Sequence, residues 1–175
     1  TGRRDGSTVF GKNNKYAFFP SAALAWHIGE ENFIKDNADW VNMLKLRLSY
    51  GANGNQAISP YMTLDRLYSG VKYIWGDAGT AVNTAYLPGN GVGNPNLRWE
   101  TTYTANAALD LSLFNNRFGG SVDVYLSNTH DLLMIRTVPV MNGYNRIWDN
   151  IGQLRNNGIE IALNSVTVDK KNFRW

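Results

Sequence analysis

The chain has no cysteine. That excludes a disulfide framework, a thiol nucleophile and a zinc–thiolate site. Histidine is nearly as scarce, with 2 in 175 residues. His27 and His130 lie far apart, so no Ser–His–Asp arrangement and no paired-histidine metal site can be drawn. No apolar run reaches the roughly 18 residues that a membrane-crossing helix needs. Excess charge is also missing. The 17 Lys and Arg stand against 14 Asp and Glu, a scattered net charge of +3 that gives no footprint for nucleic acid.

What is abundant points to β-structure. Aromatic residues make up 13% of the chain, there are 17 glycines, and asparagine recurs throughout. That mixture suits strands joined by turn-rich loops. The length suffices for one domain with a sizeable core. A transmembrane β-strand needs only about 9–11 residues of alternating character, so the missing apolar helix leaves a barrel open.

The clearest pattern runs from Trp99 to Leu133. Before the polar turn Asn115-Asn116-Arg117, Trp99, Tyr103, Ala105, Ala107, Leu109, Leu111 and Leu113 share one face. Thr102, Thr104, Asn106, Asp110 and Ser112 share the other. After the turn, Phe118, Val122, Val124 and Leu126 oppose Ser121, Asp123, Tyr125 and Ser127. A period of two over this length predicts a long β-hairpin.

Further strands follow the same rule. Tyr16 to Ile28 alternates, with Pro20 marking a strand end or a bulge. Leu44 to Gly51 alternates cleanly, and Gly158 to Val168 reads as a last strand before the turn Asp169-Lys170-Lys171-Asn172. A short strand is expected at Thr8-Val9-Phe10 and a helical turn within Gly29 to Asn42. Ala52 to Arg98 has no sustained period and reads as a functional loop with a short helix at Tyr61 to Tyr68. Met134 to Gly152 is a second loop. The expected fold is therefore all-β, an antiparallel meander of about five long strands, with short turns at one end and long loops at the other.

The aromatic residues sort by height in that layout. Trp26, Trp40, Phe114 and Phe118 fall at the short-turn end, with Phe173 and Trp175 near the terminus. Phe18, Tyr50, Trp99 and Tyr103 fall at the long-loop end. An aliphatic band of Ala, Leu and Val lies between. Aromatic girdles around such a band match a barrel crossing an outer membrane. The competing reading is a soluble β-rich carbohydrate-binding module. It requires Leu109, Leu111, Val122 and Val124 to pack on a second sheet.

Five phrases, in order, carry a family resemblance. They are Asn14 to Ile28 (NKYAFFPSAALAWHI), Leu44 to Gln56 (LKLRLSYGANGNQ), Gly93 to Thr102 (GNPNLRWETT), Leu109 to Tyr125 (LDLSLFNNRFGGSVDVY) and Asn150 to Leu163 (NIGQLRNNGIEIAL). Together they resemble the carboxy-terminal half of the β-barrel in SusC/RagA-type TonB-dependent outer-membrane transporters, nutrient importers of Bacteroidetes. The resemblance implies a segment of a roughly 22-stranded transmembrane β-barrel with a plugged lumen. It implies uptake of an oligosaccharide or peptide, driven by TonB through a plug, beneath a SusD-type surface lipoprotein, in the cell outer membrane. Neither the plug nor a signal peptide has a counterpart in residues 1–175. With Thr1 at the start and a strand beginning at Phe173-Arg174-Trp175, the expectation is an internal piece of a larger barrel.

Single features add little chemistry. Asp110 and Asp123 flank the tight turn and read as lumen-facing polar residues rather than an acid–base pair. Lys45 and Arg47 share that face and read as partners for plug or lumen carboxylates, with attraction of an anionic ligand as the alternative. Gly89-Asn90-Gly91-Val92-Gly93 lacks the spacing of a phosphate loop. Asp36 to Asp39 is too sparse for a calcium loop. No enzyme, no cofactor and no metal site is expected. The candidate ligand contacts are the loop aromatics Tyr61, Tyr68, Tyr73, Trp75, Tyr86, Tyr144 and Trp148, whose flat rings can stack on sugars.

Overall fold

A computed structural model describes residues 1–75, 80–88, 91–170 and 173–174, with side chains left aside for 67–90, 142 and 169–175. Its strands in chain order are β1 (Gly2–Gly6), β2 (Tyr16–His27), β3 (Val41–Asn55), β4 (Leu67–Trp75), β5 (Thr80–Pro88) and β6 (Glu100–Leu113). Then come β7 (Phe118–His130), β8 (Leu133–Thr137), β9 (Arg146–Asn150), β10 (Gln153–Ser165), β11 (Asp169–Lys170) and β12 (Phe173–Arg174).

The long strands form one antiparallel sheet in the order β1-β2-β3-β6-β7-β10. Five of its members run 12 to 15 residues, the expected five long strands. Neighbours in the sheet are also neighbours along the chain once the loops are set aside, so the meander is as expected. β4–β5, β8–β9 and β11–β12 are separate two-stranded pairs.

Register fixes the faces. Ala22, Tyr50, Ala105, Leu126 and Asn157 are successive cross-strand partners, as are Ala23, Ser49, Asn106 and Tyr125 one step away. Every apolar stripe of the sequence therefore lands on one side of the sheet. That side is open: Leu24 is 64% exposed, Ile159 67% and Leu163 82%. No second sheet covers it among the described residues.

The β2–β3 connection holds a 3₁₀ turn, Ile28–Glu30, and a single helical turn, α1 (Asn32–Lys35), as the sequence suggests. Trp26 Nε1 donates to Glu31 Oε1 at 2.9 Å across its start. The β6–β7 turn places Phe114, Asn115 and Asn116 at φ 53°, 56° and 61°. Asparagine tolerates that left-handed region, which explains its use here. Trp40 stacks on Phe114 at 5.8 Å and Phe118 meets Phe114 edge-on at 6.0 Å, so the short-turn rim is a contiguous aromatic cluster. At the other rim Tyr50 stacks on Tyr103 at 6.4 Å.

Several expectations need correction. Thr8-Val9-Phe10 is not a strand; β1 lies earlier, and Phe10 is a core residue, 2% exposed. The Phe18 and Tyr16 rings lie over Gly2 and Gly6 of β1, in the space that side chains there would take. No helix forms at Tyr61 to Tyr68. Tyr61 adopts a left-handed φ of 68°, which breaks a helix, and β4 starts at Leu67. The loops are also more ordered than their patterns suggest, since each contains a hairpin. β10 begins at Gln153 rather than Gly158, because Gln153, Asn156 and Asn157 are polar on both faces and hide the alternation. Trp99 leaves the outer rim and is buried at 8%. Pro20 sits where the pairing of β2 with β3 stops, so its missing N–H leaves that ladder intact. Gly89, Asn90, Lys171, Asn172 and Trp175 lie outside the described residues.

Candidate functional site

Two regions carry organised chemistry. The first is the middle of the sheet. Arg47, Ala108 and Asp123 are level across β3, β6 and β7, and Asp110 lies diagonally beside them. Arg47 donates through Nε and Nη2 to the two oxygens of Asp110 at 2.7 and 2.8 Å, and through Nη2 to Asp123 at 3.3 Å. Ala108, 4% exposed, leaves room for this guanidinium. A planar fork binding one carboxylate at two points suits arginine and not lysine. The sequence placed these charges on one face, and the register brings Arg47 onto Asp110 and Asp123.

Above this cluster the cross-strand hydroxyls pair, Thr102 with Thr129 at 2.8 Å and Thr104 with Ser127 at 3.2 Å. Tyr125 faces Gly158 on β10, where a Cβ would lie 2.7 Å from its hydroxyl. The ring thus fills the space over a glycine that would otherwise leave the strand bare.

The second region is the long-loop end. Phe10, Phe19, Ala52, Ile58, Leu97 and Trp99 form the buried core, and Leu97 is fully enclosed. Trp99 is its centre, with ring centroids 5.3 Å from Phe10 and 5.7 Å from Phe19. Gly54 has no side chain where the Phe19 ring lies. Asparagines then tie the loops to this core. Asn150 accepts from Arg98 N–H at 2.9 Å and donates to the carbonyls of Arg98 and Asp131 at 2.8 and 2.9 Å. Asn94 donates to the Trp148 carbonyl at 2.9 Å and accepts from Asn96 N–H at 3.0 Å. Asn14 donates to the carbonyls of Asn96 and Leu97. Arg98 pairs with Asp131 at 2.7 Å. Gly93 has Leu64 and Asp65 backbone where a Cβ would be, and its N–H donates to Asp65 at 2.8 Å.

The loop aromatics separate under this geometry. Tyr61 is 66% exposed and presents a free ring at the loop end. Tyr144 is half-buried in the β8–β9 connection. Trp148 is half-buried and packs against the core, where it holds the loop in place. Tyr68, Tyr73 and Trp75 lie on β4 and Tyr86 on β5; their side chains fall outside the described residues. The sequence reading missed Phe10, Leu97, Asn94 and Asn150. One signal was available, the Asn94-Pro95-Asn96 run, since asparagine next to proline marks a built turn. No group of three or more metal-ligating side chains occurs among the described residues.

Comparison with known proteins fits this picture. The whole chain, residues 1–175, matches the family described as TonB dependent receptor-like, beta-barrel. It is 45% identical over its full length to TonB-dependent receptor P3 of Formosa agariphila, and 39% identical to TonB-dependent receptor SusC of Bacteroides thetaiotaomicron. It spans 17% of the length of each. Among solved structures it resembles the RagAB peptide importer in its closed-closed state, with a TM-score of 0.77 and 29% identity over 97% of this chain and 18% of that one. An alternating antiparallel sheet with an open apolar side, matched along its whole length by this family, leaves one conclusion: the chain belongs to the TonB-dependent receptor β-barrel family.

Proposed function

We propose that this chain forms part of the wall of a TonB-driven importer in the outer membrane, one that takes up oligosaccharides or peptides. The observation that carries the reading is the sidedness of the sheet. One face is apolar and uncovered, and the other is polar and cross-linked by its own side chains. Lipid suits the first and a wet lumen suits the second. The soluble binding module required a second sheet over Leu109, Leu111, Val122 and Val124, and none packs there among the described residues.

In the full protein, the loop end would carry selection of substrate. Tyr61, Tyr68, Tyr73, Trp75, Tyr86 and Tyr144 are the candidate contacts, with Trp148 as their support. A SusD-type surface lipoprotein would close over that end, and TonB would act through a plug inside the barrel. The chemistry is transport without bond making, in keeping with the family.

The test is replacement of the β4–β5 hairpin by a short Gly-Ser link in the full-length protein. Uptake of labelled oligosaccharides and peptides is then compared in cells with matched amounts of assembled barrel. Loss of uptake with normal assembly is expected. Unchanged uptake of every substrate would remove this loop from the path.

A further inference from the structure

Among the described residues, two aromatics hold left-handed backbone, Phe114 at φ 53° and Tyr61 at φ 68°. That region is costly for a bulky side chain and persists only where the surroundings enforce it. Phe114 is accounted for by its packing between the Trp40 and Phe118 rings. Tyr61 is different, because its ring is 66% exposed. It follows Pro60, and a left-handed residue after a turn proline is usually glycine or asparagine.

The loop enforces this conformation from both sides. Before Tyr61, Ile58 is sunk in the core at 9% exposure. After it, Met62 packs on the same core, and its carbonyl accepts from Asn94 N–H at 3.1 Å. Leu64 N–H closes the turn on the Tyr61 carbonyl at 3.2 Å. Gly93 N–H donates to Asp65 at 2.8 Å, and the Leu64–Asp65 backbone fills the place of a Gly93 side chain. Asn94 is itself tied to the Trp148 carbonyl. All of these anchors lie within the loop end of this chain. The run Ala57 to Leu64 carries no charge. Of the charges that follow, Asp65 is taken by Gly93, and Arg66 lies back on Met62 Sδ at 3.6 Å.

We propose that Tyr61 is a strained, preset platform for an uncharged sugar ring, so that the substrate is a neutral oligosaccharide and not a peptide. The inference rests on the importer reading above and narrows its substrate class. The strain at Tyr61 stabilises nothing in the loop; its effect is to hold one flat ring in a fixed place. A ring held in place before the ligand arrives loses little freedom on binding. A rigid flat face fits the rigid face of a pyranose, and an uncharged turn offers no partner to the charged ends of a peptide. Affinity and loop stability are therefore opposed at this one residue.

The experiment uses the full-length protein, in cells with matched amounts of assembled barrel. The probes are labelled hexasaccharides of glucan, mannan, xylan and galactan, and a tryptic digest of casein. Wild type should take up at least one of the saccharides. Tyr61→Ala and Tyr61→Asn should both raise its half-saturating concentration roughly tenfold, the scale of losing one aromatic anchor. Tyr61→Phe should recover most of what alanine loses. Phe33→Ala, an exposed aromatic at the opposite rim, should change nothing. Hydrogen exchange of the purified protein separates strain from contact. Asparagine tolerates the left-handed region, so Tyr61→Asn should slow exchange at Leu64 and Asn94 roughly fivefold, and Tyr61→Ala should not. Saccharide uptake by Tyr61→Ala equal to wild type overturns the platform. Uptake of peptides alone, or an equal loss for peptides in Tyr61→Ala, overturns the sugar assignment. Faster or unchanged exchange in Tyr61→Asn overturns the strain. A wild type that takes up neither class overturns the importer reading itself, and the platform falls with it.

Discussion

The strand band and the loop end of this chain are stabilised by different means. In the band, the backbone ladders hold five long strands, and the apolar side chains stay uncovered, Leu163 at 82% and Ile161 at 66%. At the loop end the ladders give way to side-chain packing, with Leu97 and Phe10 at 2% exposure or less. On the reading proposed above, the band obtains its apolar solvent from the bilayer. The loop end has no such solvent and makes a core of its own, pinned by asparagines. A rigid, lipid-set frame below a self-packed crown suits a protein whose loops must hold their shape while open to water.

Substitutions can break that contrast, and the largest effect belongs to the crown. Trp99→Ala removes the ring between Phe10 and Phe19 and should cost about 3–5 kcal/mol. Hydrogen exchange of the full-length protein should show faster exchange around residues 93–100 and little change in the band. Equal loosening of β7 and β10 would mean that the two regions are one cooperative unit. In the band, Ile159→Arg should cost about 2–4 kcal/mol when the full protein folds into vesicles, and the neighbouring Ala162→Arg on the polar face far less. Comparable costs for both would erase the sidedness.

Smaller effects sharpen the same boundary. Asn150→Ala loses three hydrogen bonds that tie residues 98 and 131, and should cost about 1–3 kcal/mol of loop-end stability. Limited proteolysis near Asp131 reports it; an unchanged cleavage rate would show that the pin is redundant. Arg47→Ala should have the smallest effect on the urea midpoint of the full-length protein in vesicles, and salt should erase it, since the side chain is 44% exposed and screened. A greater loss, insensitive to salt, would indicate a drier lumen than the geometry suggests.

The contrast also explains what was legible in the sequence. A period of two over β3, β6 and β7 leaves a trace at every other residue, so the meander, its faces and its girdles could be read from the chain. That Arg47 and Asp110 share the polar face could be read from parity, but their pairing needs the register of β3 on β6. The crown leaves no such trace. Phe10 is a single aromatic in a polar stretch, and Leu97 is a single leucine after Asn96. Trp99 fits the outer face by parity, yet it precedes the first residue of β6 and turns into the core instead. Gln153 to Asn157 belongs to a strand whose polar residues sit on both faces, which is where the alternation fails. The β4–β5 hairpin was missed because register shifts between Tyr68 and Lys72 interrupt its alternation, and β8–β9 because five residues per strand are too few to show a period.

The central claim is that the Leu/Val/Ile face meets lipid. This chain has no cysteine of its own, so labels can be placed in it singly once any cysteine elsewhere in the full-length protein is replaced. Single cysteines placed in turn at Ile159, Glu160, Ile161, Ala162 and Leu163 of the full-length protein carry a spin label in bilayers. The account predicts strict alternation, with labels at 159, 161 and 163 reached by oxygen from the lipid and labels at 160 and 162 reached by a water-soluble nickel reagent. Water access at 159, 161 and 163 equal to that at 160 and 162 would contradict it.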